Sequence, residues 1–163
     1  TLYLTELLKY WKGQPELVAE PYYKLSDLEL RKGQKEEAIK SLKKIDSLVE
    51  DTNLVSADLH RKSLEKLGKI YDENKEFDQA IVWYEKLLEK FEDTAPLASV
   101  RYRLGKIYFD IGKIQKASDT WNQFKGLNSE SWQKIAKEQL RSYEWKNENK
   151  KIIDRLPASE AKP

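Results

Sequence analysis

The sequence predicts an all-α protein, an α-solenoid of antiparallel helix pairs. Apolar residues recur at helical spacing along most of the chain, and no stretch alternates apolar and polar residues as a strand would. The string LGKIY occurs twice, beginning at Leu67 and at Leu104, and an alanine follows thirteen residues after each leucine, at Ala80 and Ala117. Such repetition is typical of stacked helical repeats, because one helix pair alone cannot bury its apolar face.

The composition fits one helical domain and narrows the classes of partner. The chain has 163 residues, about one domain, and its 30 basic and 28 acidic side chains nearly cancel. This balance exerts no strong pull toward nucleic acid or anionic lipid, so no nucleic-acid partner is expected. No apolar run approaches the roughly 18 residues of a membrane span, so no direct membrane insertion is expected.

Two residue types are missing from the chain. It has no cysteine, which excludes disulfides and thiolate metal sites. It has no methionine either, so we expect Thr1 to begin a processed form or an excised piece of a longer protein. What precedes Thr1 is not readable from this sequence, and a missing signal peptide therefore proves nothing about secretion.

The first half of the chain is predicted to contain a lone helix and a degenerate helix pair. Residues 1–13 are interpreted as the second helix of a truncated repeat. Residues 16–49 form the pair, with helices at 16–32 and 35–49 separated by Gly33. The apolar stripe of the lone helix consists of Leu4, Leu7, Leu8 and Trp11.

Two clearer pairs and a last helix follow. The pairs occupy residues 56–91 and 97–126, separated by the turn-forming string EDTAP. Residues 130–152 predict a terminal capping helix, and residues 156–163 carry too little apolar content to fold alone and are expected to be mobile. The helices predicted within the pairs are 56–73, 77–91, 97–111 and 114–125. The predicted inward stripe of the capping helix is Trp132, Ile135, Ala136, Leu140 and Tyr143.

These pairs resemble the tetratricopeptide repeat. Its pattern places a leucine, a glycine and a tyrosine on the first helix, and an alanine and a large aromatic on the second. The resemblance implies a right-handed superhelix whose first helices line a concave groove that binds other proteins. The matching residues are Leu67, Gly68, Tyr71, Ala80 and Tyr84 in one copy, and Leu104, Gly105, Tyr108, Ala117 and Trp121 in the next. A weaker copy upstream contains Tyr22, Leu25, Gly33, Ala38 and Leu42.

The chain also departs from this pattern at several positions. Arg101 stands where a large apolar residue is expected, and Glu29 stands where the repeat usually has tyrosine. The linker between the two clearer pairs resembles those of bacterial periplasmic and outer-membrane tetratricopeptide lipoproteins. This likeness implies a periplasmic or outer-membrane-associated location, with the cytoplasm as the alternative.

No catalytic, cofactor or metal site is predicted. His60 is the only histidine and is expected to be an ordinary surface or half-buried residue. A Ser-His-Asp set has no other histidine to use, and no glycine-rich phosphate loop of the G-x-x-x-x-G-K type occurs. An acidic pair such as Asp72 and Glu73 carries little information in a chain with 28 acidic residues.

The groove implied by the resemblance supplies the candidate binding residues. Phe109 follows Tyr108, which the repeat assigns to the core, so it is expected to point into the groove as an anchor. The alternative for Phe109, and equally for Tyr102, is packing on a neighbouring helix. Some relatives hold chaperone C-termini through paired lysines and asparagines, and those asparagines have no match here, so this kind of binding is not expected. The predicted groove residues are Tyr23, Asp27, Leu30, Arg31, Lys62, Glu65, Lys69, Asp72, Glu73, Tyr102, Lys106, Phe109 and Asp110.

The predicted function is a non-catalytic scaffold that holds a partner helix or peptide within a bacterial multiprotein assembly. One alternative is a helical arm of a larger enzyme or regulator. Another is a module that forms homo-oligomers by stacking repeats, favoured if Leu4, Leu8 or Trp11 is exposed. The locally basic last helix is interpreted as a solvated face. Trp145 lies off its apolar stripe, so it could supply an exposed aromatic for a nucleic-acid or membrane-surface patch, or equally contact a missing neighbouring domain.

Overall fold

The computed structural model describes residues 6, 15–52, 55–124 and 129–153. Within these ranges the regular structure is helical. Two compact units divide the chain, a first unit from Thr1 to Thr94 and a second from Ala95 to Pro163. The helices are α1 Pro15–Arg31, α2 Lys35–Thr52, α3 Ala57–Glu73, α4 Phe77–Phe91, α5 Ala98–Asp110, α6 Ile114–Asn122, α7 Ser129–Glu148 and α8 Lys150–Ile153.

The first unit consists of two helix pairs. Helix α1 packs on α2, α3 packs on α4, and α2 also contacts α3, so the pairs are joined through their shared middle layer. Helix α3 begins after Ser56, whose hydroxyl accepts a hydrogen bond from the Leu59 N–H at 3.2 Å. The side chains that fill the core between these helices include Ala38, Leu42, Ile45, Leu64, Leu67, Ala80 and Leu87.

The second unit contains one pair and the two helices that follow it. Helix α5 packs on α6, and α7 contacts both. The buried Arg101 donates hydrogen bonds to the Thr120 carbonyl at 3.4 Å and to Gln123 Oε1 at 3.1 Å. A charged residue is thereby accommodated at an apolar repeat position, beside the C-terminal end of α6, where the helix dipole favours a cation.

Close helix approach depends on a glycine facing an aromatic ring in both units. A Cβ added at Gly68 would lie 2.5 Å from ring atoms of Tyr84, and one at Gly105 would lie 2.2 Å from Nε1 of Trp121. Real side-chain carbons do not approach so closely, so the ring of the second helix lies where an alanine methyl would be. The glycine and aromatic positions of the repeat pattern therefore meet in space.

The turn inside each pair is the same in all three copies. Gly33, Lys75 and Gly112 take positive φ values of 75°, 62° and 78° at equivalent positions. Each is followed by a residue whose N–H bonds back across the helix end, as in a Schellman motif. These bonds run from Gln34 to the Glu29 carbonyl, from Glu76 to the Tyr71 carbonyl and from Lys113 to the Tyr108 carbonyl.

The helix bounds agree closely with the sequence-based expectations. Predicted helices 56–73 and 77–91 correspond to α3 and α4 within one residue, whereas predicted helix 114–125 ends earlier, at Asn122. Apart from residue 6, the predicted lone helix at 1–13 lies outside the described residues, as do Leu4, Leu8, Trp11 and the tail at 156–163. Among the described helices, none has the length and apolarity needed to cross a membrane.

Candidate functional site

Each unit contains an open groove between two helices. In the first unit both helices are the first of a pair, and in the second unit one is the first of its pair and the other follows that pair. The first-unit groove lies between α1 and α3, has a volume of about 560 Å³, and is lined by Tyr23, Leu30, Lys35, Lys62, Glu65, Lys66, Lys69, Ile70 and Glu73. The second-unit groove lies between α5 and α7, has a volume of about 790 Å³, and is lined by Phe109, Lys134, Ile135, Glu138, Gln139, Ser142, Tyr143 and Lys146.

The lysines of the first-unit groove are bonded to groups of the chain itself. Lys66 Nζ lies 2.8 Å from Asp27 Oδ1 and 3.4 Å from the centre of the Tyr23 ring. This ammonium therefore combines an ion pair with a cation–π contact. The remaining pairs are Lys62 with Asp58 at 2.6 Å, Lys69 with Glu73 at 3.8 Å and Lys35 with Asn74 Oδ1 at 2.6 Å.

The structure brings most of the predicted first-unit residues together. Five predicted side chains beyond Tyr23 line the first-unit groove, and Asp27 reaches its edge through Lys66. Arg31 is exposed but does not line the groove. The prediction that Asp72 faces the groove is wrong, because this residue is buried, at 7% exposure, and cannot present its carboxylate to a ligand. The five lining residues are Leu30, Lys62, Glu65, Lys69 and Glu73. Their role in binding stays a prediction.

Tyr102 is a half-buried residue that packs between helices of the second unit. Its ring stacks on Trp121 with centroids 5.7 Å apart and packs on Trp132 at 5.0 Å. Its hydroxyl donates to Gln139 Oε1 at 3.1 Å, and its carbonyl accepts from Trp121 Nε1 at 3.0 Å. Tyr102 therefore joins α5, α6 and α7, which is the packing alternative, and it does not line the second-unit groove.

Phe109 combines the two roles that the sequence left open. It is half-buried, with its ring centre 6.0 Å from that of Trp121 and edge-to-face with Tyr143 at 5.4 Å. It also lines the second-unit groove. Lys106 pairs with Asp110 and places its ammonium 5.3 Å from the Phe109 ring centre, so this predicted lysine is already engaged.

Ile135 and Tyr143 are groove residues that the sequence-based prediction placed in the core. Ala136 is buried as predicted, but Ile135 is 47% exposed and Tyr143 is 38% exposed. The predicted stripe of α7 spans a wider arc than α5 and α6 cover, and its edge therefore faces the groove. The width of that arc is the sequence feature that would have identified Ile135 and Tyr143 as groove residues. Trp145, which lies off this stripe, is 59% exposed.

The expectation that His60 is a surface or half-buried residue is wrong. His60 is only 3% exposed, and its Nε2 lies 2.8 Å from Asp46 Oδ1 on α2. An ionised carboxylate only accepts hydrogen bonds, so Nε2 carries the proton. Asp46 Oδ2 also accepts from Lys86 of α4 at 2.6 Å, and Lys86 bonds Glu50 at 2.7 Å.

This polar cluster joins α2, α3 and α4, and it stabilises ionised Asp46. Burial alone would raise the pKa of Asp46, but hydrogen bonds from His60 and Lys86 outweigh burial and hold the pKa below its ordinary value. Burial likewise acts to lower the pKa of Lys86, but its bonds to Asp46 and Glu50 raise it overall. The histidine is thus a structural residue of the core. No group of three or more histidine, aspartate or glutamate side chains suited to a metal ion occurs among the described residues.

Comparison with known families agrees with the repeat geometry. Residues 19–51 and 62–89 match the family model of the tetratricopeptide repeat. The chain contains tetratricopeptide repeats. The first match spans most of α1 and α2 of the degenerate copy, and the second spans most of α3 and α4. Tetratricopeptide repeats generally mediate protein–protein interaction, so the partner class expected for this chain is protein.

One solved structure with the same fold is the crystal structure of BtubC (BKLC) from P. vanneervenii. It aligns over 94% of this chain and 71% of that one, with a TM-score of 0.60 and 19% sequence identity. At this identity the likeness shows a shared tetratricopeptide-type helical fold and nothing about function. A search of curated proteins finds no match.

Proposed function

We propose that this tetratricopeptide chain is a non-catalytic scaffold that binds a helix or extended segment of a partner protein in the second-unit groove, within a bacterial multiprotein assembly. The proposal rests on one observation: Ile135 and Tyr143 stay exposed beside the half-buried Phe109, on a helix whose neighbouring Ala136 is buried. Exposed apolar side chains that line one open site are the usual anchor points of a protein interface.

Binding in this groove would depend on a few apolar anchor residues in a site that is already ordered. Fully burying an apolar side chain contributes about 1.5–3 kcal/mol, so covering the exposed halves of Ile135 and Tyr143 contributes about 1 kcal/mol each. Phe109 is held by Tyr143 and Trp121 before any partner arrives. The groove therefore loses little conformational entropy on binding, which raises affinity for a given contact area.

A site-specific photo-crosslinking residue at position 135 tests this proposal. Val82 on α4 supplies the matched control, because it is an aliphatic residue of similar exposure, 52% against 47%, in the first unit. In extract of the source cells we expect a discrete adduct from position 135 and none from position 82. Equal adducts from both positions, or none from position 135, would contradict the proposal.

The variants used to confirm the captured partner follow from the packing. Because Tyr102 stacks between two tryptophans, a Tyr102→Ala/Phe109→Ala pair would damage the second unit as well as the groove. Ile135→Ser and Tyr143→Ser change exposed side chains instead. We expect each to weaken the captured partner's binding about fivefold, the factor that corresponds to about 1 kcal/mol, while leaving the helical circular dichroism signal unchanged.

We further propose a periplasmic or outer-membrane-associated location, with the cytoplasm as the alternative. The support is the linker around Pro96, which resembles those of periplasmic tetratricopeptide lipoproteins. Fractionation of source cells with an antibody against the chain tests the location. Recovery only with cytoplasmic markers would reject the periplasmic assignment.

A further inference from the structure

Two lysines mark the ends of the second-unit groove. Lys134 and Lys146 both line it and lie twelve residues apart on α7, which is about 18 Å along the helix axis. In the part of the chain that the structure describes, neither ammonium forms an ion pair or a hydrogen bond. The lysine on the facing helix, Lys106, is engaged with Asp110. The free positive charge of the groove is therefore concentrated at its two ends.

The centre of the groove has the opposite charge. Glu138 lines the groove between the two lysines and makes no ion pair among the described residues. The charges thus run positive, negative, positive along α7. A bound segment with an acidic residue at its centre would face Glu138 and be disfavoured, whereas acidic residues at its ends would meet lysines.

The two exposed apolar side chains of α7 lie between the two lysines and are closer together than the lysines are. Ile135 and Tyr143 lie eight residues apart, about 12 Å along the axis of α7, with Phe109 contacting Tyr143. A helix lying along α7 presents residues seven or eight positions apart at the same spacing and on one face. Two apolar anchors so placed would cover the exposed parts of Ile135 and Tyr143 together.

We infer that the occupant of the second-unit groove is an amphipathic helix of a partner protein, at least three turns long, with acidic side chains at both ends. Two apolar residues seven or eight positions apart form its contact face, and a neutral or basic residue lies between them opposite Glu138. This inference rests on the proposed function and specifies the chemistry of its ligand. The apolar anchors supply affinity, and the terminal charges select among helices.

A display library of 14-residue helix-forming peptides, selected on the full chain, tests the inference. Peptides are retained only if the Ile135→Asp variant does not bind them, which restricts the selection to the groove. We expect Asp and Glu to be enriched at both peptide ends and depleted at the centre. On the Lys134→Glu/Lys146→Glu variant, we expect the end preference to change to Lys and Arg. We also expect the original peptides to bind that variant roughly tenfold more weakly.

The matched control carries the same charge change away from the groove. Lys137→Glu/Lys150→Glu replaces two exposed lysines that do not line it, and it should leave the selected peptides unchanged. Groove-dependent peptides with no charge preference, or a preference that Lys134→Glu/Lys146→Glu does not alter, would overturn the inference but leave the proposed function standing. A failure to select any groove-dependent peptide would also overturn it, as would loss of a dimer on Ile135→Asp in sedimentation, which would place a second copy in the groove.

Discussion

The two grooves are built on the same helix-pair scaffold, but they differ in what their side chains are already bonded to. In the first-unit groove each lining lysine is bonded within the chain, and the lining Ile70 is buried. In the second-unit groove, two lining lysines have no such bond to any of the residues that the structure describes, and Ile135 and Tyr143 are exposed. The fold alone therefore does not decide which groove binds, because the difference lies in the side chains.

The same contrast extends into the interiors of the two units. The first unit contains a buried polar cluster formed by Asp46, His60 and Lys86. The second unit is joined by stacked aromatic rings, with Tyr102 between Trp121 and Trp132. An ion-paired cluster thus stabilises the first unit internally, whereas the second unit combines stacked rings with the buried Arg101 and leaves charges of α7 available to a ligand.

Removing Asp46 should give the largest effect and confine it to the first unit. Asp46→Ala leaves His60 buried without its acceptor and Lys86 without one partner, so we expect a loss of about 3 kcal/mol in unfolding free energy. Asp46→Asn keeps an acceptor and should lose less. Native-state hydrogen exchange should show faster exchange in α2, α3 and α4. Equal acceleration in α5 and α6 would contradict the contrast between the units.

Asp46 also predicts how the first unit responds to acid. The pKa of Asp46 is lowered in the folded state from an ordinary value of 3.8. The carboxylate therefore contributes to the free energy of unfolding above that value, and this contribution is lost as the pH falls through the lower pKa of the folded state. The Asp46→Asn variant should therefore lose less stability than the parent when the pH is lowered across this range. An identical loss in both proteins, followed by circular dichroism, would show that Asp46 is not the responsible group.

Gly105→Ala should destabilise the second unit by about 2 kcal/mol. The added methyl would lie 2.2 Å from the indole of Trp121, whose ring is held by Tyr102, so the aromatic stack must shift. Urea denaturation followed by tryptophan fluorescence measures the change. Gly105→Ser, a larger residue, should be worse, and a neutral Gly105→Ala result would show that the stack is loosely packed.

Substituting one lysine in each groove tests whether the lysines of the first-unit groove stabilise the fold and those of the second-unit groove do not. Lys66→Met breaks the ion pair with Asp27 and the ammonium contact with Tyr23, so we expect a loss of about 1 kcal/mol. Lys146→Met removes a lysine that has no ion-pair partner among the described residues, so the midpoint of thermal unfolding of this variant should not change. Equal destabilisation by both substitutions would remove the distinction between the two sets of lysines.

The smallest expected effect is at the turns inside the helix pairs. Lys75 has a φ of 62°, where Gly33 and Gly112 take similar values without strain. We expect Lys75→Gly to stabilise the first unit by up to about 1 kcal/mol, and Gly112→Ala to destabilise the second by a similar amount. Thermal unfolding of the two variants measures both, and destabilisation by Lys75→Gly would contradict the turn assignment.

The repeat pattern predicted the parts of the fold that depend on local spacing. Gly68 and Tyr84 were expected to mark one helix pair, and they meet face to face because glycine and ring positions recur with the pair. The environment of His60 could not be predicted in this way. Its partner Asp46 lies on a different helix pair, and only the packing of α2 against α3 brings the two together.

The candidate site was predicted only in part, for a related physical reason. Register along the first helices placed Tyr23 and Phe109 at grooves, because facing positions repeat along a helix. The same reasoning placed Ile135 and Tyr143 in the core, since an apolar stripe does not reveal how much of its width a neighbour covers. Asp72 shows the opposite error, because a carboxylate on a polar helix is not identified as buried by its sequence position.

Amide hydrogen exchange of the chain with and without its captured partner compares the two grooves in a single measurement. If the second-unit groove is the binding site, exchange should slow in α7 from residue 134 to 146 and at the C-terminal end of α5, while α1 and α3 remain unchanged. Slowing confined to α1 and α3 would place the partner in the first-unit groove and contradict the account.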